Sequence, residues 1–228
     1  MALTGLDIYK LLPKKNCGEC GSPTCLAFAM KRAAKKGSLE DRPYVSEEAK
    51  AALGSASRPP IRLVKIGEGD RAVELGDETV LFRHEETFYH ETAVAIRIKE
   101  DDPSAGERIK LVKKLQFERV GMEIGVNLIA LQETSGDADR YAAFAMEMAE
   151  RSDLGLVLIS SSADCLRAAL AKVKERLPLL YAADHENFRE LAELARENGS
   201  PLVVKETGLE EMAKLTEKIQ KEGAEDLI

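Results

Sequence analysis

The spacing of apolar residues changes after residue 60 and divides the chain into two regions. Before that point the pattern reads as short helices. Thr4 is placed to cap a helix that runs to Leu12 and is stopped by Pro13. Thr24 is placed to cap a second helix, Cys25 to about Lys36, with Gly37 as its terminator. The expected apolar face of this second helix is Leu26, Met30 and Ala33–Ala34, with Ala27 and Phe28 partly buried. Ser46, followed by Glu47 and Glu48, opens a third helix to about Leu53. Gly54-Ser55-Ala56-Ser57-Arg58-Pro59-Pro60 reads as a linker and places a boundary near residue 58.

Short strands are predicted next, over Ile61–Ile66, Ala72–Leu75, Thr79–Phe82 and Thr92–Ile98. Helix and strand patterns then alternate. Helices are expected over Ala105–Leu115, Asp137–Arg151, Ala163–Glu175, Glu186–Glu197 and Leu209–Lys221. Strands are expected over Gly125–Gln132, Gly155–Ser160, Leu177–Ala182 and Pro201–Lys205. Asp226-Leu227-Ile228 resembles the first residues of one more strand. Units of roughly 25 residues with fully apolar strands, such as Leu156-Val157-Leu158-Ile159, imply a parallel sheet covered by helices. The two common solutions are an open doubly wound sheet and an eight-stranded barrel. No glycine-rich phosphate fingerprint follows any of these strands. About five strands and the start of a sixth fall short of the eight that close a barrel. Ending two apolar residues into a buried strand leaves that strand no length to pair, so the chain is expected to be part of something longer.

Composition narrows the function classes. The 228 residues are 44% apolar and 32% charged, with 5% aromatics and no Trp, which fits a helix-rich soluble protein. No run of 18 apolar residues is present, and Met1-Ala2-Leu3-Thr4-Gly5 lacks the basic and apolar segments of a secretory signal. No membrane contact and a cytoplasmic location are therefore expected. The net charge of −7 is uneven: residues 1–58 hold ten Lys/Arg against six Asp/Glu, the remainder 23 against 34. A basic end on an acidic body suits a solvated helix face or docking to an acidic protein. Nucleic acid is disfavoured, because aromatics are not interleaved with the basic residues.

Three of the four cysteines lie within nine residues, Cys17-Gly18-Glu19-Cys20-Gly21-Ser22-Pro23-Thr24-Cys25. Thiolates at C-x2-C-x4-C spacing can reach three corners of one iron–sulfur cubane. Gly18 and Gly21 allow the loop to turn with its N–H groups near the sulfides. Cys25, at a helix start, is favoured as thiolate by the helix dipole. Leu11, Leu12, Phe28, Met30 and Tyr44 are candidates to exclude water. The rival is zinc, which needs four ligands and usually two C-x2-C elements; no second one is present.

A resemblance adds to this reading. Leu3-Thr4-Gly5, Tyr9-Lys10, Leu12-Pro13, Lys15-Asn16-Cys17-Gly18-Glu19-Cys20-Gly21, Pro23-Thr24-Cys25-Leu26-Ala27-Phe28-Ala29-Met30 and Pro43-Tyr44-Val45-Ser46 closely resemble the large subunit of the corrinoid iron–sulfur protein. That subunit is also called the gamma subunit of acetyl-CoA decarbonylase/synthase. The likeness continues through Gly76-Asp77-Glu78-Thr79-Val80-Leu81-Phe82-Arg83-His84-Glu85 and Phe88-Tyr89-His90-Glu91-Thr92-Ala93. It implies a small α-helical iron–sulfur domain at 1–58, then at 59–228 a β-hairpin region and an incomplete (β/α)8 TIM-type barrel. It also implies a [4Fe-4S] cluster that reductively reactivates cobalt. The family's corrinoid lies in a C-terminal domain that this chain is expected to lack. Implied partners are the small subunit, a methyltransferase working from a methyl-pterin donor, and acetyl-CoA synthase. The family is a methyl carrier of anaerobic acetyl-CoA synthesis, and this portion is not expected to be catalytic alone.

The family pattern has a fourth cysteine where this chain has Arg42, and a guanidinium has no lone pair to give iron. The resemblance therefore leaves a [3Fe-4S] cluster, a [4Fe-4S] cluster completed by Asp41 or water, or a degraded site. Cys165 falls on a predicted helix and reads as a buried, inert thiol. His84 and His90 have Glu85, Glu86 and Glu91 close by, but ordinary hydrogen bonding is the expected use. His185 sits at a strand-to-helix turn, and Asp164, Asp184 and Thr207 read as helix caps. Two other readings compete with an electron-transfer component: a stand-alone barrel-like enzyme with an appended metal-binding domain, and a non-functional truncated product.

Overall fold

The structure is a computed structural model that describes residues 5–15, 17–18, 22–33, 45–46, 61–69, 72–78, 84, 87–112 and 114–228. It divides into two compact units, residues 1–61 and 62–228. The expected third helix, after Ser46, and the expected strand Thr79–Phe82 lie outside the described residues.

In the first unit α1 (Gly5–Leu11) packs on α2 (Cys25–Ala33). Ile8, Leu12, Cys25, Phe28, Ala29 and Val45 form its core, with Tyr9 against it. The expected apolar face of α2 is therefore wrong: Leu26 and Met30 are exposed, while Cys25, Phe28 and Ala29 are buried. Both stripes have helical spacing, and the helix carries apolar residues most of the way round. Packing against Ile8 and Leu12 of α1 selects the stripe at 25, 28 and 29. Gly5 lets the helices approach, since a Cβ there would fall on Met30 Sδ.

The second unit is a mixed α/β structure on a five-stranded parallel sheet. Its strands are β3 (Ala95–Lys99), β6 (Leu128–Gln132), β7 (Gly155–Ile159), β8 (Leu179–Ala183) and β9 (Leu202–Val204). They lie side by side in chain order, every neighbouring pair parallel. The last residues extend the series: Leu227 bridges to Leu202 in parallel, and Ile228 N–H donates to the Leu202 carbonyl at 3.0 Å. The connecting helices are α3 (Ala105–Val112), α4 (Ala138–Arg151), α5 (Ala163–Val173) and α6 (Phe188–Asn198), with α7 (Leu209–Lys221) after β9.

Alternation along the strands gives the sheet two faces. Ile98, Ile129, Leu131, Leu156, Leu158, Leu180 and Leu202 point to the helices and form the main core. Tyr141 of α4 is fully buried there and donates its hydroxyl to the Leu131 carbonyl at 2.8 Å. Leu128, Ala130, Val157 and Leu179 point to the other face, the inner one, where they pack with Ile66. Ile66 belongs to an antiparallel hairpin, β1 (Val64–Ile66) with β2 (Val73–Leu75).

A second hairpin, β4 (Phe117–Arg119) with β5 (Met122–Ile124), occupies residues where no element was expected. Its two-residue turn holds Val120 at φ 54° and Gly121 at φ 77°. Both central residues lie in the left-handed region, as a type I′ turn needs. Valine is an unfavourable residue there, so the usual Asn-Gly or Asp-Gly signal is missing from the sequence.

Candidate metal centre and strand-end residues

The second helix positions Cys25, the expected ligand that is buried among the described residues. Thr24 accepts the Ala27 N–H at 3.1 Å through its side chain, and its carbonyl accepts the Phe28 N–H. Thr24 is thus the N-cap, which makes Cys25 the first helical residue. Cys25 is fully buried among Ile8, Leu12, Phe28 and Ala29. Cys17 is exposed. Gly18 follows it at φ 77° with open space where a Cβ would stand. The loop therefore turns as the sequence expected at this glycine. Cys20, Asp41 and Arg42 lie outside the described residues. Of the proposed water-excluding residues, Leu12 and Phe28 are buried, Leu11 and Met30 are exposed, and Tyr44 lies outside the described residues.

Among the described residues no group of three or more His, Cys, Asp or Glu is arranged to hold a metal ion. For His90 the structure gives another use. Its Nδ1 lies 2.7 Å from the Gly76 carbonyl, and its Nε2 lies 3.4 Å from Glu74. Glu78, which is buried, accepts the N–H groups of Tyr89 and His90 at 3.0 and 3.3 Å. These contacts tie residues 89–90 back to β2 and the residues after it. Lys65 lies 2.5 Å from Glu74, and its ammonium holds the Glu74 carboxyl below its ordinary range, with a smaller contribution from His90. His84 is exposed.

At the carboxyl ends of the strands the polar residues join neighbouring elements. His185 Nε2 lies 2.7 Å from Glu206, linking the end of β8 to the end of β9. Asp184 accepts the Glu186 and Asn187 N–H groups, one turn ahead of the Asn187 cap of α6. Asp164 pairs with Arg167, and Gly208 precedes α7, so neither Asp164 nor Thr207 is the N-cap the sequence suggested. All three expected caps, Asp184 included, missed by one to three positions, because Ser162, Asn187 and Gly208 fix where the chain turns into each helix. Cys165 is buried on α5, where its N–H is capped by Ser162. Glu100 and Glu206, which carry the strand-end contacts, were not singled out by sequence reading. A carboxylate immediately or two residues after an apolar strand is the signal that could have found them.

Comparison with known proteins bears on both units. A family profile described as "CO dehydrogenase/acetyl-CoA synthase delta subunit" matches residues 63–228. The chain belongs to this family. A second profile, described as "Putative Fe-S cluster", matches residues 12–43, the stretch that contains Cys17, Cys20, Cys25, Asp41 and Arg42. The chain is 48% identical over 231 residues to the corrinoid/iron-sulfur protein large subunit of Moorella thermoacetica, covering 100% of this chain and 52% of the relative. It is 34% identical to acetyl-CoA decarbonylase/synthase complex subunit gamma of Methanothermobacter thermautotrophicus, covering 100% of this chain and 50% of that protein. The gamma subunit of Methanopyrus kandleri is 36% identical, with 96% of this chain and 48% of the relative covered. The chain thus spans about half the length of the curated relatives it matches. The delta-subunit match takes in the whole parallel sheet. No described helix is long and apolar enough to cross a membrane.

Proposed function

We propose that this chain is the iron–sulfur, electron-transfer portion of a corrinoid methyl carrier that delivers methyl groups to acetyl-CoA synthase. The observation that carries this reading is Cys25, a buried thiol at the first position of a capped helix, in a C-x2-C-x4-C loop within the iron–sulfur profile match. The names of the relatives supply the corrinoid and the acetyl-CoA connection.

The donor set fits such a cluster in kind. Cys17, Cys20 and Cys25 would hold it, and when bound it would supply one-electron reduction. The chain's own residues prepare that site. Thr24 sets Cys25 at the first turn of α2, Gly18 lets the loop turn, and Leu12 and Phe28 keep water from one side. Asp41 is our candidate fourth ligand, with Arg42 standing where the relatives' motif is expected to carry cysteine. Without a fourth thiolate a [3Fe-4S] form is the alternative.

Residues 1–58 are in this reading the cluster domain, and 59–228 part of a (β/α)8 barrel. Five parallel strands in unbroken chain order support a barrel, because a doubly wound sheet reverses direction at a switch point. The corrinoid is placed outside this chain, on other parts of the carrier, with a small subunit, a methyltransferase and acetyl-CoA synthase as partners in the cytoplasm.

Anaerobic purification followed by iron, acid-labile sulfide and EPR analysis tests the reading. Iron with acid-labile sulfide is the expected result, and a three-iron signal that becomes a four-iron cluster in Arg42→Cys would identify the [3Fe-4S] form in place of completion by Asp41. Zinc without sulfide overturns it.

A further inference from the structure

The inner face of the parallel sheet changes character along its strands. Near the strand starts it is apolar and covered, with Leu128, Ala130, Val157 and Leu179 packed with Ile66, Val73 and Leu75 of the β1–β2 hairpin. Gly155 makes room for that cover: a Cβ there would stand 2.6 Å from Leu128 Cδ2 and 3.5 Å from the Ile66 carbonyl. At the carboxyl ends the register sets Lys99, Gln132, Ile159 and Tyr181 side by side on four adjacent strands. Arg97 lies one layer deeper, beside Ala130. Parallel sheets are ordinarily filled by branched aliphatic side chains on both faces. A row containing lysine, glutamine and tyrosine departs from that rule at the end of the sheet where ligands bind in this architecture.

Charge and hydrogen bonding both favour a ligand here. Arg97 and Lys99 are exposed, and no described residue pairs with either cation. The alternating inner-face positions of the five strands, from Ala95 to Val203, include no Asp or Glu. Among the described residues, then, these strand positions carry two positive charges and no carboxylate. Gln132 Oε1 is buried and has no hydrogen-bond partner, a costly state for a carbonyl. Tyr181 is 37% exposed, so the row is open to solvent beside it.

We propose that Lys99, Gln132 and Tyr181 form a binding site for a small anion that also carries an O–H donor, namely hydrogen phosphate or a phosphate monoester. Lys99 meets the negative charge, Gln132 accepts the O–H, and Tyr181 flanks the bound group. A carboxylate supplies charge alone. A phosphate supplies charge and donor together: a monoester has its second pKa at about 6, and inorganic phosphate keeps an O–H even after its second ionisation. This site is independent of the cysteine loop, and its test does not depend on cluster content.

The test is titration of the 15N-labelled full chain with inorganic phosphate at pH 6, with sulfate at matched ionic strength as the comparison that lacks a donor. Saturable amide shifts at Lys99, Gln132 and Tyr181 are expected, with weaker binding of sulfate. Lys99→Gln, which keeps the stem of this exposed side chain, should weaken phosphate by about tenfold or more. Tyr181→Phe should weaken it less, and unchanged melting of both variants shows that they are folded. Shifts that grow without saturation, equal affinity in Lys99→Gln, or sulfate binding as tightly as phosphate would each overturn the proposal. So would shifts on this face that follow protein dilution instead of phosphate, since the face would then join two copies of the chain.

Discussion

Arg140 Nε lies 3.1 Å from the Glu100 carboxylate, whose side chain is only 1% exposed while that of Arg140 is 58% exposed. The same carboxylate accepts the Thr134 and Ser135 N–H groups and the Ser135 hydroxyl, so the end of β3 is pinned to the loop between β6 and α4. Glu100→Ala removes the acceptor for all of them and is expected to cost about 3 kcal/mol. Arg140→Ala, which removes one exposed partner, should cost about 1 kcal/mol. Urea unfolding followed by circular dichroism measures both. Equal losses would mean that the exposed pair, and not the buried carboxylate, carries the joint.

Val120 at φ 54° is a β-branched residue in the left-handed region, at the tip of the β4–β5 hairpin and 91% exposed. Val120→Asn or Val120→Gly relieves that conformation without removing packing. Either is expected to stabilise the chain by about 1 kcal/mol. A lowered melting temperature in both variants would show that the valine side chain makes a compensating contact.

Tyr141 tests the helix-side core. Burial pushes its phenol well above the ordinary value, so it stays a hydrogen-bond donor throughout the working pH range. Tyr141→Phe keeps the ring and removes the hydroxyl with its bond to the Leu131 carbonyl. The expected cost is about 1 kcal/mol. The near-ultraviolet absorbance of wild type, titrated to high pH, should retain one tyrosine that ionises only on unfolding.

Asp102 gives a pH dependence with a defined sign. Hydrogen bonds from the Ser104 side chain, then from Arg108 and the Ser104 N–H, lower its pKa from 3.8 to about 2. A carboxyl whose folded pKa is depressed contributes stability above its unfolded pKa and loses it as pH falls through the folded one. The stability difference between wild type and Asp102→Asn should therefore be constant above about pH 5 and shrink between about pH 4 and about pH 2. Urea midpoints across that range measure it. A difference independent of pH would show that the ionised form has no advantage.

The helices and strands of the second unit were legible because each has a strong period of its own. Leu209–Lys221 was found to the residue, and the strand Leu156–Ile159 announced itself as an unbroken apolar run. The β4–β5 hairpin was not legible, because Val120 occupies a turn position where Asn or Asp would have marked it. The stripe of α2 was misread because two stripes of similar hydrophobicity share that helix, and only the neighbouring α1 chooses between them. Part of the candidate cluster site was legible as spacing, and the structure adds to it the burial of Cys25 and the exposure of Cys17.

By itself the sequence determined the cysteine spacing, the helix cap at Thr24, and the alternation that demands a parallel sheet. These depend on residues within a few positions of one another, so local geometry is enough to read them. Only the tertiary structure decided the order of the strands, the hairpin that covers the start of the inner face, and the row of Lys99, Gln132, Ile159 and Tyr181. Those residues are separated by 33, 27 and 22 positions along the chain, and only strand register brings them together. Register is fixed by how buried faces fit across the whole sheet, which no single stretch of sequence contains.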